Sequence, residues 1–305
     1  MTPARQHAFL GVLVLLGAGW GATQPLAKIS VSTGYGHFGL MFWQAAIGSA
    51  FMWILVLLRG RPVPLNARAL TFCAFIAMIG TAIPNTTQFM AVKHLPSGIM
   101  SILLSLIPMI AFPISLALGL ERFALRRFLG LTVGLCGVLI LVLPDASLPD
   151  PAMLVWIPLA MVAPIFYAFE GNFVSKWGTG GLDPIPLLAG ATLITAVLVL
   201  PAAIATDQFI TPFQPFGAPE WAIVGSAIIN VAVYAAYVWL VGQAGAVFAA
   251  QVSYLVTGFG VFWAMLVLGE RYSPYVWIAL VLVLCGIALV QPRKNAALAD
   301  TSVME

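Results

Sequence analysis

Charge is what this sequence has least of. Only 8% of its 305 residues are charged, while 62% are hydrophobic. A soluble domain carries about 25% charged residues, so a fully water-facing surface is excluded and the bulk solvent is lipid. A net charge of +3 is too small to attract nucleic acid. Cysteine is scarce as well. Cys73, Cys136 and Cys285 lie in separate apolar runs, with no CxxC, disulfide or zinc spacing. They read as small packing residues. His7, His37 and His94 are far apart near the ends of runs, which argues against a metal cluster. No P-loop, HExxH or GxSxG occurs, so direct use of ATP and the common hydrolase chemistries have no motif to rest on. No cofactor is expected.

What the chain has in quantity is long uncharged runs. A spanning helix needs about 20 apolar residues. The runs are 6–27, 29–58, 69–92, 94–120, 128–144, 151–169, 184–206, 221–269 and 272–292. The first is longer than a signal-peptide core and no clear cleavage site follows it, so it reads as a span. The run 221–269 has 49 residues, enough for two helices, and Gly242-Gln243-Ala244-Gly245 is the expected break. The fold class is therefore an all-α integral membrane protein with ten transmembrane helices. Barrel strands do not fit, because these runs neither alternate nor stop at about 10 residues. With the N-terminus inside, the inner segments hold ten Lys and Arg residues and the outer side only Lys28, Lys93 and Arg271. That bias predicts both termini cytoplasmic, in a cell inner membrane.

The chain also repeats itself. Glu121-Arg122-Phe123 matches Glu270-Arg271-Tyr272, and Cys136-Gly137 matches Cys285-Gly286, both at an offset of 149. Upstream, Trp20 to Lys28 resembles Ala168 to Lys176 at an offset of 148. The expected organisation is a first repeat over 1–146, a second over 147–292 and a short cytoplasmic tail over 293–305. Five spans per repeat is an odd number, so the second repeat is inverted. Inverted repeats are a transporter signature, with the substrate site at their interface.

These residues resemble a known family. Two five-helix halves, with the turns "LGLER" (118–122) and "LGERYSP" (268–274) each followed by a glycine-containing last helix, look like the EamA domains of the drug/metabolite transporter superfamily. The resemblance covers about 8–292; the first turn departs by one residue inserted between glycine and glutamate. It implies a ten-helix fold with a central cavity between the halves and with the last helix of each half peripheral. It also implies transport of amino acids, other metabolites or drugs, often outward.

Polar residues inside lipid-spanning helices are costly and usually face the bundle interior. Thr81, Asn85 and Gln88 are spaced i, i+4, i+7 on one helix face, as are Asn230, Tyr234 and Tyr237. The two stripes match at the same 149 offset. Trp20 and Gln24 share a face of the first span, and Gln251 and Tyr254 occur in the ninth. These residues are candidates for the substrate cavity, with Trp43 and Tyr167 as aromatic walls for an apolar or cationic moiety. The alternative role is interhelical hydrogen bonding, which suits Ser97, Ser101 and Ser105 better. Lys28 and Lys176 end their helices and read as snorkelling. Prolines recur in the spans, and Pro84 beside Asn85 would free backbone carbonyls there. Gly130 and Gly134 read as a packing GxxxG. Gly34 to Gly39 spells GxGxxG, but no strand precedes it, so it is no dinucleotide site.

Glu170 is the only acid well inside a span. Lys176, at i+6, projects away from it. Glu170 could take up and release protons, hold a cationic amine, or sit protonated with a structural partner. The leading function is a secondary transporter or facilitator of a small polar metabolite, an amino acid or related amine, working by alternating access and exporting it. A multidrug or toxic-compound exporter is the alternative, and a membrane-embedded enzyme, which would need a catalytic cluster, a third reading. The expected partners are the small-molecule substrate and the bilayer, with the chain a monomer or homodimer.

Overall fold

In a computed structural model, the chain is described over residues 3–60, 63, 66–142, 150–179, 181–213, 215–244, 246–249 and 251–290. The expected tail 293–305 and the expected boundary at 146 and 147 lie outside the described residues. Every regular element among the described residues is helical. The elements are α1 (Pro3–Ser30), α2 (His37–Arg59), α3 (Ala67–Ile76), a π-helical segment (Ala77–Ala82), α4 (Ile83–His94), α5 (Ser97–Leu104), α6 (Ile107–Ala117) and α7 (Leu125–Val142). A 3₁₀ turn (Pro151–Trp156) then leads into α8 (Ile157–Trp177), followed by α9 (Pro184–Ala205), α10 (Ala218–Ala244), α11 (Ala246–Ala249), α12 (Val252–Leu268) and α13 (Pro274–Val290). Seven continuous helical stretches among the described residues are long and apolar enough to cross a membrane, and α12 and α13 are shorter apolar helices. The break expected in the run 221–269 falls where α10 ends, at Ala244.

Two stretches are discontinuous. Between α5 and α6 the helix stops at Ser105 and Leu106, and Pro108 opens α6. Proline lacks the N–H that would continue the ladder, so the first turn of a restarting helix, where that N–H has no intrahelical partner, suits it best. Pro84 and Pro158 likewise stand in the first turn of α4 and α8, whereas Pro113 and Pro164 lie inside their helices. The second discontinuity separates α10, α11 and α12.

The packing maps onto itself when the halves are exchanged. Helix α1 packs on α12 and α10, and α8 packs on α6 and α4. The equivalent helices α2 and α9 pair directly, as do α7 and α13. The α7–α13 pair is closed by glycine. A Cβ on Gly286 would lie 2.7 Å from the Gly130 carbonyl oxygen, and one on Gly130 would lie 2.8 Å from that of Gly286. The GxxxG glycines therefore bring two backbones together, which is how helices associate where no hydrophobic drive separates protein from lipid. The same repeat places Cys136 beside Gly137 and Cys285 beside Gly286, but both cysteines are exposed at the surface rather than packed; only Cys73 is buried.

Helix ends are neutralised by side chains from other helices. The Lys28 Nζ donates to the carbonyl oxygens of Val92 (2.7 Å) and Leu95 (2.9 Å) at the end of α4. Lys176 Nζ donates to the Leu118 carbonyl (2.8 Å) beyond α6. These lysines cap the negative ends of neighbouring helices instead of snorkelling freely.

Candidate polar core between the halves

The site starts from a fault in the helix that carries Asn85. In a regular helix Pro84 would leave the Gly80 carbonyl, four residues earlier, without its donor. The chain adopts a π register over Ala77–Ala82 instead, in which Ile83 N–H bonds the Met78 carbonyl. The shift to an i→i−5 register thus falls in the turn directly before Pro84. Thr195 on α9 donates to the Ala77 carbonyl (3.3 Å), supporting the start of the segment.

The π segment also makes room. A side chain on Gly80 would collide with both oxygens of the Glu170 carboxylate, so Glu170 on α8 lies directly against the Gly80 backbone. Among the described residues Glu170 has no hydrogen-bond or ion-pair partner. Tyr167, one turn earlier on α8, donates to the Asn85 Oδ1 at 2.9 Å. Gln88, one turn beyond Asn85, donates through Nε2 to the Gln24 Oε1 at 3.0 Å. Gln24 is buried on α1. Tyr167 and Tyr234 both lie within electrostatic reach of Glu170. Two hydrogen-bonded polar pairs, Tyr167–Asn85 and Gln88–Gln24, thus join α8 to α4 and α4 to α1, with the half-buried, unpaired Glu170 carboxylate one turn from Tyr167 on α8; α1 and α4 belong to the first half of the chain and α8 to the second.

The other candidates stand further off. The Trp20 ring lies 5.4 Å from that of Tyr237, on the α1–α10 seam. Asn230 is half-buried on α10, and its side chain makes no hydrogen bond among the described residues. Trp43 sits near the start of α2, where its indole N–H donates to the Ile210 carbonyl (2.8 Å). Gln251 is exposed at the break before α12, and Tyr254 is half-buried beside it. Asn172, the repeat counterpart of Gln24, is spent on structure: it donates to the carbonyls of Ala168 and Ala111 and accepts from Ser115 at 2.6 Å.

A second polar cluster escapes the polar-stripe argument because its acid is outside any span. The Glu270 Oε1 accepts from the Ser97 N–H (2.9 Å) and hydroxyl (3.0 Å), and Oε2 accepts from the Gly98 N–H (3.3 Å). It also accepts from the Tyr272 hydroxyl. Burial and the adjoining Glu270 push the Tyr272 phenol up, so it stays protonated and donating. Glu270 therefore caps the positive end of α5, as Lys28 caps the negative end of α4 one turn before it. The repeat counterpart Glu121 pairs with Arg127 instead. The readable signal was the Glu-Arg-aromatic turn itself, paired with a serine and a glycine opening the facing helix.

Comparison with known proteins agrees with this architecture. One solved crystal structure, titled only as that of a protein, shares 20% identity over 93% of this chain and 97% of its own, with a TM-score of 0.59. At that identity the likeness speaks for the fold. No curated protein matches the chain. The EamA-like transporter family matches residues 9–143 and again 154–291, two copies that take in both halves described above. The chain belongs to the EamA-like transporter family, as a multi-pass membrane protein built from two repeats.

Proposed function

We propose that the protein is a secondary transporter or facilitator that exports a small polar metabolite, an amino acid or related amine, from the cell across its inner membrane. The observation that carries this reading is the unpaired Glu170 on α8, set against the Gly80 backbone one turn from Tyr167, together with the polar pairs Tyr167–Asn85 and Gln88–Gln24 that link helices of both halves. A carboxylate without a cation beside it is suited to hold an amine or a proton, while the neutral amides and phenols suit the rest of a polar solute. Counting α7 and the α5–α6 stretch as one crossing each, and α10 and α12 as two, gives ten spans in two inverted sets of five. In that arrangement the site falls between two bodies able to rock against each other. The discontinuous α5–α6 and α10–α12 stretches supply the bending points such motion requires.

The test is flux of radiolabelled amino acids and amines through the purified protein in liposomes. Asn85→Ala, Gln88→Ala and Tyr234→Ala are each expected to cut flux about tenfold or more, the loss of one or two polar contacts, with normal yield of folded protein. Loss of folded protein in step with flux would assign these residues to helix packing.

The lysine and arginine distribution supports a topology with both termini in the cytoplasm. A cysteine at Ser147, outside the described residues, should react with an impermeant maleimide on intact cells. One at Asn66, the cap of α3, should react only after permeabilisation. The opposite pattern reverses the orientation.

A further inference from the structure

The Gly34–Gly39 motif has no part in the polar core, yet its glycines have a definite task. A side chain on Gly36 would strike the Gln208 side chain, and one on Gly39 would strike the Gln208 carbonyl. Gln208 Oε1 also accepts from the Phe38 N–H at 3.0 Å. The α9–α10 loop is thus wedged into the α1–α2 turn. The residue before the wedge, Asp207, is the one non-glycine among the described residues with a positive φ, +55°. Aspartate tolerates that conformation at a cost. Wedge and twist together fix where its carboxylate emerges.

It emerges on a cleft of about 530 Å³ whose walls include His37, Lys93 and Thr211. A second cavity of about 160 Å³ adjoins it across Tyr35, His37 and Lys93, and is closed by Phe89, Met90 and Trp156. Trp156 is held by the His94 ring stacked on it at 3.7 Å. Lys93 and Asp207 border the same cleft with opposite charges. Among the described residues neither side chain has a hydrogen-bond or ion-pair partner.

We propose that this cleft is a second binding site, distinct from the polar core, for a small zwitterion with an apolar side chain. Its carboxylate would lie toward Lys93, its ammonium toward Asp207 and its side chain in the aromatic annex. A ligand with one charge would satisfy only one of the two residues; a zwitterion satisfies both with charge-assisted hydrogen bonds. Its role as a station on the substrate's path rests on the transport reading, but the binding itself does not require transport.

The test uses the full chain in detergent, carrying Asn85→Ala to weaken the polar core. Binding of leucine, methionine and phenylalanine is measured by calorimetry. At least one should bind saturably. For leucine, 4-methylpentanoate and isoamylamine, each lacking one charge, should bind about tenfold more weakly or worse, as should the best probe to Lys93→Gln and Asp207→Asn. Lys93→Arg, which keeps the charge, should retain binding, and its melting curve controls for folding. No saturable binding of any of the three, or binding unchanged in both charge variants, overturns the proposal. So does equal loss in Lys93→Arg and Lys93→Gln. Flux absent from liposomes while cleft binding persists would instead defeat the transport reading and leave this one standing.

Discussion

Glu270→Ala should lower the stability of the protein by about 2–4 kcal/mol, the cost of a lost helix cap together with orphaned donors. The alanine would leave the Ser97 and Gly98 N–H groups and the Tyr272 hydroxyl without their acceptor. Water can recover some of that loss, because Glu270 is only half-buried. The repeat counterpart is the control. Glu121 makes one ion pair, with Arg127, and both side chains are partly exposed, at 34% and 19%. Such pairs are worth about 0–1 kcal/mol, so Glu121→Ala should move the melting temperature little. The two substitutions fall on the same motif in the two repeats, so a side-by-side melt in detergent compares the turns directly. Equal shifts would mean that the asymmetry of the two turns has no energetic content. Glu270→Gln should fall between, because the amide keeps an acceptor oxygen but gives up the charge that favours the positive end of α5.

That asymmetry marks a boundary of what the sequence could show. The repeat was legible because Glu121 and Glu270, and Cys136 and Cys285, recur at one offset, and the family match confirms two copies. Helix positions were legible because uncharged runs of spanning length have few other uses. The facing of Gln24, Gln88 and Asn85 was legible from the helical period alone. Which partner each one takes was not. Gln24 and Asn172 are repeat equivalents with the same chemistry, yet one amide bonds a glutamine on α4 and the other a serine on α6. Repeat symmetry fixes where a side chain stands, whereas its partner depends on the local fit of two helices. The π segment was hidden for a related reason. Gly80 and Pro84 each have several ordinary explanations, and only their separation of four, read together with the acid on α8, specifies a register shift. Trp43 and Gln251 show what residue type alone leaves open. Composition made both plausible cavity residues, but the structure ties the Trp43 indole to Ile210 and leaves Gln251 exposed at a break.

Glu170→Gln should remove the pH dependence of transport, or the preference for amine-bearing substrates, while leaving the fold intact. Glutamine keeps the shape of the side chain, and there is no ion pair for it to break among the described residues. The carboxylate lies against the Gly80 backbone, and the phenols within its electrostatic reach are Tyr167 on its own helix and Tyr234 on α10. Among the described residues no cation pairs with it, so a proton or a substrate ammonium is the available counter-charge. Gly80→Ala provides an independent check on geometry. The added methyl would occupy the space of the carboxylate oxygens, and the carboxylate would have to move away from α4. If the position of the charge matters, flux should fall about tenfold or more in Gly80→Ala, although alanine favours the helix by about 1 kcal/mol over glycine. A structural glutamate predicts the reverse pattern: Glu170→Gln nearly silent in flux and Glu170→Ala costly in melting temperature. The deciding measurement is liposome flux against pH for the wild type, Glu170→Gln and Gly80→Ala, with a melting curve for each. An unchanged pH profile at normal rate in Glu170→Gln would take the carboxylate out of the mechanism and leave the neutral amides and phenols to bind substrate alone.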